Sequence, residues 1–310
     1  MTVKQVRVEA VGGLGNQLFG YFAGLYLASR NAVPLSLDLS LTSKGMTNHG
    51  SKITDLEFPN LTVVDESKPL KEFVVKAVGF TLSKIKSVNL GVGLALEQRV
   101  GLHTSGVVGT DQELELFKGG VHLRGYFQSG FYIDELEKSG LVDFPFKPYR
   151  PSAWFTKMER LASDVRPIIV HVRRGDYAAV SDSVGMLSVD YYEHALKFID
   201  DEIGGEKREV WVFSDDLHRA EADLSSLHRG NVKFISPDPN STAAETMCLM
   251  SLGVGIVISN STFSWWSARM SRGSLVVAPK PWFILGEVDD QLYPSQWKTL
   301  SSRWLKQEPK

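Results

Sequence analysis

From residue 166 onward the chain repeats one arrangement: a run of consecutive apolar residues, a polar turn, then a segment with apolar side chains at helical spacing. RPIIVHVR, EVWVFSDD, NVKFIS, VGIVISN and SLVVAP read as strands. SVDYYEHALKFIDDEI, LHRAEADLSSL, STAAETMCLMSLG and a segment opening at STFSWWSARM read as the intervening helices, with Ser241 or Thr242 placed to cap the third. Strands that are apolar throughout need cover on both faces, and strands separated by helices run parallel. Right-handed crossovers follow. The pattern confines this half of the chain to a parallel α/β sheet with helices on both sides.

The first forty residues form a similar unit: QVRVEAV as a strand, GGLG as a break, NQLFGYFAGLYLASRN as a helix and VPLSLDLS as a second strand. Gly20 and Gly24 weaken that helix unless it packs closely on a sheet or another helix. Between residues 45 and 143 short apolar runs and glycines alternate without a readable period. FPFKPYRPS, residues 144–152, stiffens the connection with three prolines, which suggests an N-terminal domain over 1–147 and a C-terminal domain over 148–310. The stretch 68–87 mixes five lysines with apolar residues; an amphipathic helix with solvated lysines is the preferred reading, a membrane-surface contact the alternative.

Composition excludes several classes. Thirty-four Lys and Arg against 36 Asp and Glu give a net charge of −2, so nothing global favours nucleic acid or an anionic membrane. Cys248, the one cysteine, has no internal disulfide partner. The chain enters a strand pattern at MTVKQVRVEAV without a charged and then apolar leader, and no apolar run reaches membrane-span length, so a soluble cytoplasmic protein is expected. The N-x-[ST] triplets at Asn60, Asn240 and Asn260 then lack the compartment for glycosylation.

The unusual polar residues fall at strand ends: Arg173-Arg174-Gly175-Asp176, Ser214-Asp215-Asp216 and Asn260-Ser261-Thr262. Open α/β sheets bind ligands beyond the carboxyl ends of their strands. Two permanently charged, planar guanidinium groups there suit a diphosphate, and a helix starting at Ser261 or Thr262 adds backbone N–H groups and the positive end of its dipole. Plainer alternatives stand beside each feature. The arginines can pair structurally with Asp176 or Asp215, SDD can cap a helix, FSWWSA can be core, and His171 can be a satisfied core histidine. GGLGNQ lacks the last glycine of a dinucleotide fingerprint, since its sixth position is Gln17.

Taken together, GGLGNQLFGYFAG, HVRRGDY, VFSDD and SNSTFSWWSA resemble, in order and spacing, the α-1,2-fucosyltransferases of glycosyltransferase family 11. SVDYYEHAL, LMSLGVGIVISN and VVAPKPWF extend the resemblance over most of the second domain. It implies a GT-B-like fold, two Rossmann-type domains facing a central cleft, with GDP-fucose held mainly by the second and the acceptor sugar by the first. The implied reaction is inverting transfer of L-fucose from GDP-β-L-fucose to the 2-hydroxyl of a terminal β-galactoside in a glycan. Other linkages, other acceptors or a non-catalytic GDP-sugar-binding protein are the alternatives.

The residues expected to carry this reaction are Arg174, first choice for the β-phosphate, and Asp176, with Asp182 and Asp38 as rival general bases. Donor contacts are expected from Gly13, Gly15, Asn16, Gln17, His171, Arg173, Ser214, Asp215, Asp216, Asn260, Ser261, Thr262, Phe263 and Ser264. The chain contains no Asp-x-Asp, so arginines and helix N-termini are expected to take the leaving-group charge, with no metal or other cofactor. Neither nucleic acid nor a membrane span is expected among its partners; peripheral membrane contact stays open.

Overall fold

The computed structural model describes residues 5–40, 53–58, 62–64, 69–105, 107–175, 181–205, 207–227, 229–285 and 290–305. Two compact units emerge, one of Met1–Ile53 with Phe58–Asp143, the other of Thr54–Glu57 with Phe144–Lys310. Each is built on its own parallel sheet.

In the first unit the sheet has the order β3-β2-β1-β5-β4, from β1 (Val6–Glu9), β2 (Leu35–Asp38), β3 (Val63–Val64), β4 (Leu102–Thr104) and β5 (His122–Arg124). Helix α1 (Leu14–Asn31) lies against it. The two glycines are what let α1 approach: a Cβ on Gly24 would sit 2.2 Å from Val8 Cγ2, and one on Gly20 would sit 3.3 Å from Val8 Cγ1. Helices α2 (Pro69–Val88) and α3 (Leu90–Val100) form a hairpin, and α4 (Phe131–Lys138) packs Phe131 and Tyr132 onto Tyr26 of α1 at centroid distances of 5.5 and 5.4 Å. β4 and β5 are three residues each, too short for a periodic signal in the sequence.

After α5 (Ala153–Val165) the second unit carries the expected alternation: β6 (Ile168–Val172), the single turn α6 (Ser181–Val184), α7 (Val189–Ile203), β7 (Val210–Ser214), α8 (Leu217–Asp223) and β8 (Val232–Phe234). It continues with α9 (Ala243–Met250), β9 (Gly255–Val257), α10 (Thr262–Met270), β10 (Leu275–Lys280) and β11 (Lys298–Ser301). Thr242 caps α9, and Glu245 closes a capping box with it. All six strands are parallel, in the order β11-β10-β9-β6-β7-β8. Counted within the unit this is 3-2-1-4-5-6, the doubly wound arrangement. Ile168, Val170 and Val172 of β6 pack with Tyr191, Leu196 and Ile199 of α7 in its core, and Trp265 and Trp266 are wholly buried. Among the described residues no helix is long and apolar enough to cross a membrane.

Candidate functional site

A doubly wound sheet opens a crevice where the strand order reverses, because the loops after the two middle strands turn to opposite faces. In the second unit the reversal lies between β6 and β9, paired through Val170 and Val257. The segments leaving these strands are Arg173-Arg174-Gly175 and Ile258 to Ser261. The charged motif and the segment leading into α10 therefore leave neighbouring parallel strands at the same edge of the sheet.

The two arginines do different things there. Arg174 is turned inward and its side chain is fully buried. Its Nε donates to Asp223 Oδ2 at 2.5 Å, Nη1 to the Arg173 carbonyl at 3.0 Å and Nη2 to the Leu187 carbonyl at 2.7 Å. Arg174, expected at the phosphate, has its fork engaged by one carboxylate and two carbonyls, partners a buried guanidinium needs. Arg173 keeps 15% of its side chain exposed and donates Nε to Asp215 Oδ2 at 3.1 Å.

Asp215 is the organiser of this loop. Its carboxylate also accepts the backbone N–H groups of Arg174 at 2.8 Å and Gly175 at 2.9 Å. That approach requires glycine, since a Cβ at 175 would lie 2.5 Å from Asp215 Oδ2. The SDD residues expected at the ribose or base all have protein partners here. Asp216 caps α8 by accepting Arg219 N–H at 3.0 Å, and Ser214 Oγ exchanges hydrogen bonds with the Asp216 backbone at 3.0 and 3.1 Å. Asp176 lies outside the described residues.

At the end of β9, His171 and Ser259 join the strands, Nδ1 to Oγ at 2.8 Å, and the imidazole packs on Phe263 with centroids 5.8 Å apart. Burial pulls the His171 pKa down to about 3, the Arg173 charge pulling the same way and Asp215 opposing, so the ring is neutral. Asn260 is buried and donates Nδ2 to the carbonyls of Val184 and Gly185 at 3.0 and 3.2 Å. Arg174 and Asn260 thus tether the same 184–187 segment. Ser261 caps α10 through Phe263 N–H at 3.3 Å, and Ser264 Oγ bonds back to the carbonyls of Ser259 and Ser261. Thr262 and Phe263 are half-buried, in the first turn of α10.

In the first unit β1 lies between β2 and β5. Gly12, at φ +68°, turns the chain after β1, Gly13 precedes α1, and Gly15 is buried in its first turn. Gln17 is buried, donating Nε2 to the Gly12 carbonyl and accepting Ile53 N–H, each at 3.1 Å, which makes it a brace for this loop. Asn16 is half-buried, and its Oδ1 accepts from Gln128 Nε2 at 3.0 Å. Gln128, on the segment leaving β5, is a residue the sequence reading missed. Its signal was the polar GYFQS run after a strand too short to recognise.

Of the rival bases, Asp38 is paired with Arg7 at 3.1 Å from Nε and 2.6 Å from Nη2, and accepts Ser40 N–H at 3.0 Å. Burial raises its pKa, but the Ser40 N–H and the Arg7 charge outweigh this and hold it below the ordinary carboxylate value, a poor base. Asp182 is exposed in α6. Among the described residues, Glu97, His103 and Glu113 bring side-chain ligand atoms within 4.8 Å of one another. Lys86 already bonds Glu97 and Glu113, and His103 bridges Glu97 and Asp111 at 2.9 Å each, so positive charge is supplied there by the protein.

Residues 111–299 match the family model described as Glycosyl transferase family 11. Two Escherichia coli proteins are similar over nearly the whole chain. Alpha-1,2-colitosyltransferase is 26% identical over 304 residues, covering 94% of this chain and 97% of that protein. O-antigen biosynthesis glycosyltransferase WbnK is 27% identical over 306 residues, covering 93% and 98%. Among solved structures, a mutant of Arabidopsis thaliana FUT1 in complex with GDP has a TM-score of 0.50 at 14% identity, covering 94% of this chain and 72% of that one, a likeness of fold alone. The fold is the GT-B type, and the chain belongs to glycosyl transferase family 11 and is a glycosyltransferase.

Proposed function

We propose that this glycosyltransferase moves L-fucose from GDP-β-L-fucose, with inversion, to the 2-hydroxyl of a terminal β-galactoside in a glycan, and needs no metal. The second unit holds the nucleotide and the first serves the acceptor. The observation that carries the reading is Arg173: a partly exposed guanidinium just after β6, the strand at the order reversal, whose neighbour β9 leads into α10. Breaking the sugar–phosphate bond leaves negative charge on GDP, and a fixed cation beside a helix N-terminus stabilises that charge without reorganising.

The surrounding residues have graded roles in this scheme. Ser261, Thr262 and Phe263 present the first turn of α10 to the diphosphate. Asp215 aims Arg173, while Arg174, Asp223 and Asn260 keep the loop and the 184–187 segment in place. Neutral His171 sits behind Ser259 and carries no charge to the phosphate. Within the first unit Gln128 fixes the orientation of Asn16. Asp176 remains the proposed carboxylate for the acceptor proton.

The relative named for colitosyl transfer favours a second reading, in which the donor sugar lacks the 3-hydroxyl that fucose carries. One experiment separates the two. Purified protein is given GDP-fucose or GDP-colitose, with and without a terminal β-galactoside, in excess chelator. Release of GDP from GDP-fucose only with the galactoside, and an α-1,2-linked product by NMR, is expected. Preference for GDP-colitose overturns the donor, another linkage overturns the acceptor position, and activity lost in chelator but restored by Mn²⁺ or Mg²⁺ overturns metal independence.

A further inference from the structure

The α2–α3 hairpin presents an apolar tip to solvent. Its turn is firmly built: Asn89 Oδ1 accepts Val92 N–H at 3.1 Å to cap α3, and glycine at 93 permits close helix contact, since a Cβ there would lie 2.5 Å from Lys86 Cα. On the inward side Leu82 is buried and Lys86 binds Glu97 and Glu113. Outward, Phe80 is 63% exposed, Val88 88%, Leu90 54% and Val92 50%. Three large apolar residues in the five of VNLGV thus face water at a helix turn, where polar side chains are usual.

Charge identifies what covers this tip. From residue 73 to 96 the sequence holds lysines 76, 84 and 86 and no acid, in a chain of net charge −2. Lys86 is turned inward; Lys84 is exposed, its Nζ 4.6 Å from the Phe80 ring centroid, a cation riding on an apolar anchor. None of the described residues Phe80, Lys84, Val88, Leu90 and Val92 is acidic, so a two-fold contact that set this patch against itself would oppose lysine to lysine. An anionic lipid surface satisfies both features: apolar side chains enter the headgroup boundary while the ammonium stays at phosphate level.

We propose that the tip formed by Phe80, Lys84, Val88, Leu90 and Val92 seats the protein on an anionic lipid surface. The seat is independent of which sugar is transferred. The test is co-sedimentation of the full chain with vesicles of phosphatidylcholine alone or mixed with phosphatidylglycerol. Binding to the mixed vesicles, weakened by salt, is expected. The pair Val88→Asp and Leu90→Asp reduces it by at least about tenfold, and Lys84→Glu reduces it by about fivefold on mixed vesicles only. Val88→Ser with Leu90→Ser repeats the first arm if the aspartates unfold the hairpin, and glycosyl transfer to a soluble acceptor stays at the parent rate in each. Failure of the parent to sediment, equal sedimentation of parent and variants, or a dimer in solution that the same substitutions dissolve each overturns the proposal.

Discussion

Lysine at position 173 keeps the charge and loses the planar fork, whereas lysine at 174 leaves Asp223, the Arg173 carbonyl and the Leu187 carbonyl competing for one ammonium. Arg173→Lys is therefore expected to lower turnover by about 10²- to 10³-fold at unchanged thermal stability. Arg174→Lys leaves buried acceptors unmatched and is expected to cost about 1–3 kcal/mol of stability, seen as a lower melting temperature. Steady-state kinetics beside thermal melts tell them apart, and loss of turnover at unchanged melting temperature in Arg174→Lys would return the phosphate to Arg174. In the same assay Asp176→Asn is expected to fold and to lose turnover; ordinary turnover would remove Asp176 from the reaction. At this scale the sequence was legible only as chemistry. It showed two guanidiniums and three carboxylates at strand ends, but the carboxylate that pairs with Arg174 lies 49 residues away on α8, and no local pattern announces it.

Glycines inside α1 are readable as packing because nothing else excuses them in a helix. Alanine gains about 1 kcal/mol over glycine in helix propensity, yet at Gly24 its Cβ would meet Val8 at 2.2 Å and Leu35 at 3.0 Å. Gly24→Ala is expected to destabilise by about 1–3 kcal/mol through overpacking. Gly20→Ala, with its nearest contact at 3.3 Å, should do less, and paired thermal melts check the order. The second unit was legible for the same kind of reason: strands such as Ile168–Val172 and Val210–Ser214 are apolar on both faces, and helices such as α7 carry a clear apolar stripe. The middle of the first unit was not. β4 and β5 have three residues each, and the α2–α3 hairpin turns apolar side chains outward, which breaks the periodicity that would reveal it.

Across the molecule, two buried histidines set opposite limbs of the stability profile. His171 is held at about 3, below its ordinary value near 6.5, so the unfolded chain binds the extra proton between those pH values and stability falls as pH drops through that window. His103 is the reverse: burial pulls it down, but Asp111 and Glu97 outweigh burial and raise it, so its contribution is full below about 6.5 and lost as pH rises through the raised value. Melting temperature against pH should therefore decline on both sides. His103→Gln should remove the part of the alkaline decline that starts just above about pH 6.5, leaving the part due to Lys86 and the buried tyrosines at higher pH, and, by breaking a buried charged network, cost about 3–5 kcal/mol at neutral pH; an unchanged onset of the decline would refute the assignment. What the sequence determined by itself was the parallel α/β architecture of the second unit, the strand–helix–strand start of the first, and the gathering of polar residues at strand ends. These follow from periodicity and turn chemistry, which are local. Tertiary structure alone decided which arginine is buried, that Asp215, Asp216 and Asn260 hold protein rather than face outward, and that Glu97, His103 and Asp111 form a network. Those outcomes depend on partners such as His171 and Ser259, 88 residues apart, which only packing brings within hydrogen-bond reach.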